Sequence, residues 1–363
     1  MKNKSSVLLA LIGSLVLGAA AAHANRTGGD AYPFLKIGLG ARAMGMGGAF
    51  VSVADDGTAP YWNPAGMGQE ANMEKRQAAF MGAFVGQDEF DRSHTYLSFL
   101  YPKPPIPWLR NATLGLSLIS VGVKDIPHTA DDGSGGLLRL GSFNDSQWAL
   151  GLSYGRSMFL SQGKSMFYVG GGAKYIRHTL GVSGSGGGIG WGWGVDFGII
   201  GDVNVIFRKQ DEAVLRVFHN LKMGVVFHKN FDLKWTGGHA DDDPVSGVLG
   251  VSFEPVKNTR WQDIIALDFH RTEAQPIWIS LGNEIGLKNL GRNSLFLRVG
   301  MNKFYLQGAG GDLTRAELGL DREITYGLGL NIGQLQALRV VADFGFITGR
   351  FESQGRTSLA ISF

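Results

Sequence analysis

The chain has 363 residues and a formal net charge of +3, with 18% charged residues, 11% aromatic residues and 55 glycines. Soluble domains usually carry about a quarter charged residues, so this composition disfavours an ordinary soluble protein. The absence of cysteine excludes disulfides, thiol catalysis, a cysteine-based zinc site and a lipidated N-terminal cysteine. No run of Lys and Arg exceeds two neighbours, so the charge is too diffuse to indicate nucleic-acid binding.

Residues 1–24 have the pattern of an export signal. Lys2 and Lys4 make a positive start, residues 7–17 form an apolar core, and Ala22 and Ala24 frame a small-residue cleavage site. The core is too short to span a bilayer as a helix. We therefore expect cleavage near Ala24, and either a soluble periplasmic protein or a β-barrel in a Gram-negative type of outer membrane, because no later stretch could form a membrane helix.

Residues 25–74 are predicted to form a plug, or hatch, inside such a barrel. The stretch from Phe34 to Met67 is rich in glycine and irregular in pattern. Glycines let backbone pass close to a wall, and residues 41–44 suggest one short helical turn that includes Arg42. Asn63 is expected to cap a second turn that begins at Pro64 and includes Gly66. The alternative is a folded arm in the periplasm.

Two acidic residues of this stretch are candidates for binding the barrel. Asp55 and Asp56 are placed to accept backbone amides or to meet an arginine of the lumen, such as Arg298 or Arg339.

Residues 75–363 are predicted to form the barrel itself. The sequence breaks into segments in which large apolar residues alternate with small or polar ones, as strands of membrane barrels do. We count fourteen such segments, and an even number is usual for bacterial single-chain barrels. They begin near Arg76, Thr95, Asn111, Gln147, Met166, Ile189, Leu221, Val245, Gln262, Ile277, Ser294, Glu323, Leu338 and Arg356. The predicted fold class is an all-β, transmembrane antiparallel β-barrel of 14 strands with the N-terminal plug in its lumen.

The connections support this count, because short periplasmic turns should alternate with longer outer loops. Residues 125–146, 230–244 and 305–322 follow odd-numbered segments and are long, polar and rich in Gly and Asp. We expect them to be outer loops.

The alternation also assigns the two faces of the wall. Ile324, Tyr326, Leu328 and Leu330 share one face of their strand, which should contact lipid. The opposite face should line the lumen. The lumen candidates are Asp268, His270, Arg298, Arg339 and Asp343. Mutual pairing without a functional role is the alternative for these charges, and Asp268 and His270 are expected to form a satisfied pair.

Phe363 ends the chain inside an alternating segment. A terminal aromatic residue resembles the signal by which outer-membrane barrels are recognised, so we expect the barrel assembly machinery as a partner.

Patterns that suggest chemistry have weak support. Gly38-x-Gly40-x-x-Ala43 lacks the βαβ context of a dinucleotide site. The acidic stretch of His239 and residues 241–243 lacks the spacing of a calcium loop, so we expect it to be a solvated outer loop. Gly151-x-Ser153-x-Gly155 matches a hydrolase elbow but lies in an alternating segment instead of a strand-to-helix turn. We expect no enzymatic activity, no cofactor and no metal.

The N-terminal motifs resemble a known group of proteins. These motifs are Phe34 to Gly38, Gly40 to Ala43, Gly45 to Ala49, Ala54-Asp55-Asp56 and Tyr61-Trp62-Asn63-Pro64-Ala65-Gly66. Together they resemble the signature of PorV/PorQ-type outer-membrane proteins, which in turn resemble FadL-type long-chain fatty-acid transporters. The resemblance implies a fourteen-stranded barrel with an N-terminal hatch. Weaker echoes at residues 281–284 and 297–300 extend it into the barrel.

Two functions follow from the resemblance, and the shared signature does not choose between them. The first is transport across the outer membrane, with a hydrophobic small-molecule ligand bound in, or passed through, the plugged lumen. The second is a secretion accessory that binds a secreted protein or a secretion channel, as PorV does in type IX secretion. Outer-membrane lipid is an expected partner in both.

Overall fold

A computed structural model describes residues 31–69, 74–85, 91–131, 133–161, 164–181, 188–204, 219–273, 277–305, 323–335, 338–348 and 353–363. The predicted export signal (residues 1–24), the start of the predicted plug (25–30) and almost all of the predicted outer loop 305–322 lie outside these residues. The division into signal, plug and barrel at residues 24 and 74 stays a prediction.

Fourteen strands form a closed wall, as predicted. Their bounds are β1 (Gln77–Val85), β2 (Asp91–Pro102), β3 (Ala112–Asp131), β4 (Leu137–Ser161), β5 (Lys164–Gly181), β6 (Gly188–Asp202), β7 (His219–Asn230), β10 (Ser246–Lys257), β11 (Trp261–Thr272), β12 (Trp278–Leu290), β13 (Asn293–Tyr305), β14 (Glu323–Leu335), β15 (Leu338–Thr348) and β16 (Ser353–Ser362). Each of the fourteen predicted segments overlaps one of these strands. Two short strands, β8 (Leu233–Trp235) and β9 (Ala240–Asp241), form a hairpin in the connection after β7.

Every wall strand pairs antiparallel with two neighbours. The first and last strands close the barrel, in a register that runs from Gln77 opposite Ser362 to Val85 opposite Gln354. Beyond this register, the backbones of Arg76 and Phe363 exchange two hydrogen bonds of 3.0 and 3.1 Å. Phe363 therefore lies at the same end of the barrel as Gln77, and we call this end the near end and the opposite one the far end.

The predicted faces of the wall are confirmed. Ile324, Tyr326, Leu328 and Leu330 are exposed on the outer face of β14, while Thr325 between them is fully buried. The outer face carries large apolar residues because side chains alternate across a strand. A wall that is apolar outside and small or polar inside has the pattern of a membrane barrel.

The prediction that residues 125–146 form an outer loop is wrong. Residues 125–131 continue β3 and residues 137–146 begin β4, so the two strands form a long hairpin that tapers to a short connection. Register shifts interrupt the pairing beyond Val123 and beyond His128. The hairpin reaches past the far end of the neighbouring β2 and β5, whose described pairing stops at Lys124 and Asn144.

The N-terminal segment, residues 31–69, lies inside the barrel. It contains two short helices, α1 (Ala41–Gly45) and α2 (Ala59–Trp62), and the 3-10 turns Pro33–Lys36 and Pro64–Gly68. The predicted turn at residues 41–44 is confirmed. Among the described residues, no helix is long and apolar enough to cross a bilayer.

Side chains of the wall satisfy the backbone of this segment, because buried amide and carbonyl groups need partners. Thr325 accepts a hydrogen bond from the amide of Gly47 at 2.9 Å and donates one to the carbonyl of Gly45 at 3.0 Å. Tyr96 and Ser98 both donate to the carbonyl of Gly57, at 3.0 and 2.6 Å. The segment is thus fitted to the lumen without pairing with any strand.

Glycine permits the closest approach between segment and wall. Gly47 has φ +66°, and a Cβ atom there would lie 2.7 Å from the backbone nitrogen and oxygen of Met301 and 2.8 Å from the carbonyl oxygen of Leu281. Any side chain would push the segment off β12 and β13.

Candidate functional site

A cavity of about 790 Å³ lies in the lumen between the N-terminal segment and the far end of the barrel. Its wall includes Ser246, Thr272, Trp278 and Glu323, which stand at the far ends of their strands. Its size lies within the range of sites for small organic ligands.

The N-terminal segment supplies an apolar floor. Leu35, Ile37, Val51, Tyr61 and Trp62 all border the cavity. The Tyr61 hydroxyl donates to the carbonyl of Leu35 at 2.8 Å, and the Trp62 ring nitrogen donates to the carbonyl of Leu39 at 2.9 Å. The two rings pack edge to face with centroids 5.1 Å apart. Both rings are held in place by hydrogen bonds at their polar ends, which leaves apolar surface toward the cavity.

Polar and charged side chains line the wall above this floor. Lys174 and His228 both contact one carboxylate oxygen of Asp196, at 2.8 and 2.7 Å. On the opposite side, Lys303 lies 2.5 Å from Glu323. The cavity therefore combines an apolar floor with a polar wall, an arrangement that suits an amphipathic ligand better than a purely apolar one.

The first ten described residues, which we call the arm (residues 31–40), pass along this cavity. The Tyr32 hydroxyl donates to the carbonyl of Phe231 at 2.8 Å, and the Lys36 ammonium lies 3.7 Å from Asp243. Asp243 is itself buried, so the expectation that the acidic stretch 241–243 is a solvated loop is wrong for this residue. Among the described residues, no group of three or more His, Asp or Glu side chains could hold a metal ion.

Arg356 on β16 holds the arm from the other side. Its guanidinium donates to the carbonyls of Gly38 and Ile37, the latter at 3.2 Å. Tyr61 is linked to the same stretch, because its hydroxyl accepts from the amide of Gly38 at 3.2 Å. Burial raises the pKa of Tyr61 to about 12, although the Gly38 amide and the charge of Arg356 oppose this shift.

The rest of the segment, which we call the body (residues 41–69), is held by charges. Arg42 lies 2.5 Å from Asp55 and 3.4 Å from Asp56, and it binds both oxygens of Glu284 on β12 at 2.8 and 2.9 Å. Burial by itself lowers the pKa of Arg42, but the three carboxylates outweigh burial and raise it well above the usual value. Arg42 therefore stays charged and joins the body to the wall.

The charges continue into the wall. Arg298 on β13 lies 2.6 Å from Glu284 and 2.7 Å from Asp343 on β15. We call the series Asp55, Asp56, Arg42, Glu284, Arg298 and Asp343 the ion-pair chain. The predicted acceptance of a backbone amide is confirmed for Asp56, which accepts from the amide of Thr58 at 2.8 Å. The alternative that Asp55 and Asp56 meet Arg298 or Arg339 is wrong, because Arg42 of the body binds both carboxylates and Glu284 connects Arg42 to Arg298. Sequence reasoning missed Glu284, whose only signal was the weak echo at residues 281–284.

Of the other three predicted lumen residues, Asp268 and His270 are buried and Arg339 is exposed. Asp268 is fully buried and accepts hydrogen bonds from the amides of Phe50 and Val51 at 2.7 and 2.9 Å. His270 stacks on Trp278 with ring centroids 3.5 Å apart, so the expected pair of Asp268 and His270 is wrong. Arg339 is exposed at the near end.

Arg339 has a simple local contact there. It donates to the side chain of Asn331 at 3.1 Å. It shares the lumen-facing parity of β15 with Asp343 but lies at the exposed near end, and no hydrogen bond or ion pair joins it to the described part of the N-terminal segment.

The predicted turn at Asn63 is confirmed. The Asn63 side chain accepts from the amide of Ala65 at 3.0 Å, Pro64 takes the first position of the following turn, and the Asn63 amide group donates to the carbonyl of Val51 at 3.0 Å. Gly66 in that turn leaves no room for a side chain, because a Cβ atom would meet Ala54 at 2.8 Å.

Ser153 lies in the middle of β4, buried in the wall. The strand-to-helix turn of a hydrolase elbow is therefore missing at this described position, as the alternation of the sequence indicated.

Comparisons with known proteins concern the fold. No family model and no curated protein matches the sequence. Solved structures do match: the CymD monoaromatic hydrocarbon channel has a TM-score of 0.53 at 11% identity, with 90% of this chain and 97% of that chain covered. The P. putida toluene transporter TodX has a TM-score of 0.52 at 13% identity, covering 90% and 96%.

A third likeness is to a Pseudomonas aeruginosa FadL homologue, with a TM-score of 0.52 at 11% identity and 89% and 97% of the two chains covered. These likenesses extend over almost the whole of each channel. The chain thus has the fold of FadL-like channels, a closed antiparallel barrel of 14 strands. The resemblance to PorV and PorQ stays a prediction.

Proposed function

We propose that this protein is a non-enzymatic barrel of the Gram-negative outer membrane that transports a hydrophobic or amphipathic small molecule through its lumen. The observation that carries the proposal is the cavity of about 790 Å³ with its apolar floor. A cavity that is closed below by an inserted segment and bordered above by polar strand ends has the properties of a ligand-binding vestibule. The fold shared with channels described as hydrocarbon and toluene transporters supports the proposal.

The apolar outer face supports the membrane location. Large apolar side chains are exposed on strands all around the wall, among them Phe80, Leu97, Leu116, Leu152, Phe197, Leu281, Leu297, Leu328 and Phe344. Exposure of so much apolar surface to water is unfavourable. In a membrane, lipid chains contact this surface instead of water. An export signal at residues 1–24 and the assembly signal at Phe363 are part of the same proposal.

A cavity-filling substitution tests transport. Ser117 borders the cavity from β3, and Ser120 on the same strand has the opposite parity, toward the outer face. We expect Ser117→Trp to reduce uptake of radiolabelled toluene and benzoate by a Gram-negative host that lacks its own hydrocarbon and fatty-acid channels.

The matched control is Ser120→Trp, which adds the same ring outside the lumen and should leave uptake close to that of the parent protein. Equal uptake by both variants, or no uptake of either probe by the parent protein above the empty host, would contradict the proposal. Heat-modifiable migration on a gel confirms that each variant is a folded barrel.

The proposal includes a hatch function for the N-terminal segment. Asp55 and Asp56 both pair with Arg42. In the double variant Asp55→Ala, Asp56→Ala, Glu284 is the one carboxylate of the three that still binds Arg42, so the contacts within the body are weaker. We expect a changed rate of uptake. If uptake is unchanged and the barrel is folded, the segment only fills the lumen and has no hatch function.

A second candidate function is a secretion accessory, and the long β3–β4 hairpin favours it. Leu137, Leu138 and Leu140 near its tip are 78%, 54% and 54% exposed, which is unusual for leucine outside a lipid or protein contact. This function predicts co-purification with a secretion channel that is lost when the three leucines are changed to Ser, and uptake that Ser117→Trp does not alter.

A further inference from the structure

Three consecutive turns at the near end of the barrel carry positive charge. They join β10 to β11, β12 to β13 and β14 to β15. We call their cations the basic rim, which consists of Lys257, Arg260, Lys288, Arg292 and Arg339. Glu254 is the one carboxylate of residues 254–261, 287–293 and 338–339. By contrast, the far-end connection between β7 and β10 contains four aspartates and one lysine in residues 231–245. Positive charge is therefore concentrated on one side of the near end.

Hydrogen bonds hold the three turns side by side. The amide of Lys288 donates to the carbonyl of Arg260 at 2.7 Å, which joins β12 to the turn before β11. The amide of Gly333 donates to the side chain of Asn293 at 3.1 Å, which joins β14 to the start of β13. The cations of the basic rim therefore share one continuous surface.

Most of these cations have no counter-charge within ion-pair distance. Glu254 lies 3.0 Å from Lys257. Three members of the rim form no ion pair with any described residue, namely Arg260, Lys288 and Arg292. Lys288 is close enough to Lys257 and Arg339 to be repelled by their charges, although Glu254 and Glu284 attract it. Like charges grouped in this way repel one another, and a bound anion removes that repulsion.

Exposed apolar side chains lie beside the basic rim. Val256, Trp261, Leu290 and Leu338 are all exposed, and each is one or two positions from a cation in the sequence. Trp, Lys and Arg together are typical of the border between membrane and water, where the stems of the cations lie on apolar surface and their charged ends reach the headgroups. A lipid would cover both the apolar side chains and the cations, whereas a soluble anion would cover the cations alone.

We infer that the basic rim binds the phosphate groups of anionic phospholipids in the leaflet at the near end. Groups of about four to eight Lys and Arg beside an apolar membrane surface bind anionic lipids. Arg260 and Arg292 donate to phosphate oxygens through their guanidinium groups, and Lys288 supplies a third positive charge. Short turns of bacterial barrels face the periplasm, so the partner is a lipid of the periplasmic leaflet. This inference rests on the membrane location within the proposed function.

The test compares two lipids that have the same acyl chains and differ in headgroup charge, phosphatidylglycerol and phosphatidylcholine. Their binding to the full-length protein in detergent is measured by native mass spectrometry. We expect phosphatidylglycerol to bind about fivefold more tightly, since each Lys or Arg near an anionic surface contributes a factor of about this size. Equal affinities would overturn the inference and leave the basic rim as a surface for an acidic protein.

A triple variant locates the binding surface. Arg260→Gln, Lys288→Gln and Arg292→Gln together remove the three cations that have no ion pair, and we expect the two lipids then to bind almost equally. Barrel folding is checked by heat-modifiable migration on a gel. A folded triple variant that keeps the full preference for phosphatidylglycerol would overturn the inference.

The matched control removes two arginines and one lysine from the far end. Its substitutions are Arg139→Gln, Arg177→Gln and Lys234→Gln, at cations that likewise form no ion pair with any described residue. We expect the control to keep the preference of the parent protein. Equal losses in the two triple variants would show that total charge, and not the basic rim, selects the lipid, and would overturn the inference.

Two further measurements separate the alternatives. Glycerol phosphate, which has the phosphate without acyl chains, should not displace phosphatidylglycerol when added in large excess. Full displacement would show a site for a free anion and would overturn the inference. Uptake of toluene tests the proposed function independently. If the parent protein takes up toluene and shows no lipid preference, the lipid site is wrong and the transport function stands. If the preference is present and toluene does not enter, the transport function fails and the lipid site stands.

Discussion

The arm and the body of the N-terminal segment are attached to the same barrel by different physical means. The body is held by opposite charges, Arg42 to Glu284 and onward to Arg298, and by backbone that touches the wall at Gly47. The arm is held by a cation bound to carbonyls, by single hydrogen bonds from Tyr32 and Tyr61, and by one ion pair of 3.7 Å between Lys36 and Asp243, longer than those of the body. Attachment of the body is therefore strong and specific, and that of the arm is the weaker of the two.

Among substitutions that disturb these attachments, removal of Arg298 should lower the stability of the protein the most. Arg298→Ala leaves Asp343 buried without the arginine that it contacts at 2.7 Å, and removal of one partner from a buried ion pair costs about 3–5 kcal/mol. We expect a lower free energy of unfolding in urea, followed by heat-modifiable migration and tryptophan fluorescence. Arg339→Ala at the exposed near end is the control, and equal losses in both variants would contradict a special role for the ion-pair chain.

A smaller loss is expected when the closest contact of the body is disturbed. Gly47→Ala places a Cβ atom 2.7 Å from the backbone of Met301, and overpacking of this kind costs about 1–3 kcal/mol. The thermal midpoint should fall, and the body should become more accessible to protease.

A second glycine separates crowding from backbone strain. Gly133 has φ +80°, and no atom lies within 4 Å of the position that a Cβ atom would take there. Gly133→Ala therefore introduces the strain of a positive φ without the contact. If both substitutions lower the midpoint equally, contact between segment and wall is not the cause.

The amide contacts of the body should give a still smaller effect. Asp268→Asn keeps an oxygen near the amides of Phe50 and Val51 but removes its charge. The expected loss is about 1 kcal/mol, the difference between a charged and a neutral acceptor. Hydrogen exchange of these two amides should quicken more than that of the Gly47 amide, which Thr325 holds. Equal protection in variant and parent would show that the carboxylate charge does not stabilise this turn.

The smallest effect concerns the link between arm and body at Tyr61. Because burial raises its pKa from 10.0 to about 12, the fold favours the neutral phenol. The stability that this side chain contributes is fully present below pH 10 and is lost as the pH rises toward 12. Burial also raises the pKa of Tyr32, so ultraviolet absorbance should show more than one tyrosine that ionises late, and Tyr61→Phe should reduce the amplitude of that late step by one tyrosine. Early ionisation of every tyrosine would contradict the burial of this link.

Patterns in the sequence predicted the strands of the wall but not the contacts that attach the N-terminal segment to it. Alternation is a local property, so residues such as Leu328 and Thr325 reveal a strand and its two faces without knowledge of the partner strands. The cap at Asn63 is local as well, since it binds the amide of Ala65. Arg42 and Glu284, by contrast, are 242 positions apart, and no spacing rule relates them.

The hairpin of β3 and β4 was missed for another reason. The sequence near its tip is rich in Asp and Gly, as a loop is, and lacks the regular alternation of the wall strands, with Leu137 and Leu138 adjacent to one another. Sequence reasoning identified the single residues of the lumen better than it identified their partners.

The pairing of the first and last strands has a consequence for the order of assembly. Arg356 belongs to β16, the final strand of the chain, and reaches the carbonyls of Ile37 and Gly38 from there. The same strand completes the wall by pairing with β1. The arm can therefore be fastened only when the circle of strands is complete, so that β16 both seals the barrel and secures a stretch 318 positions before it.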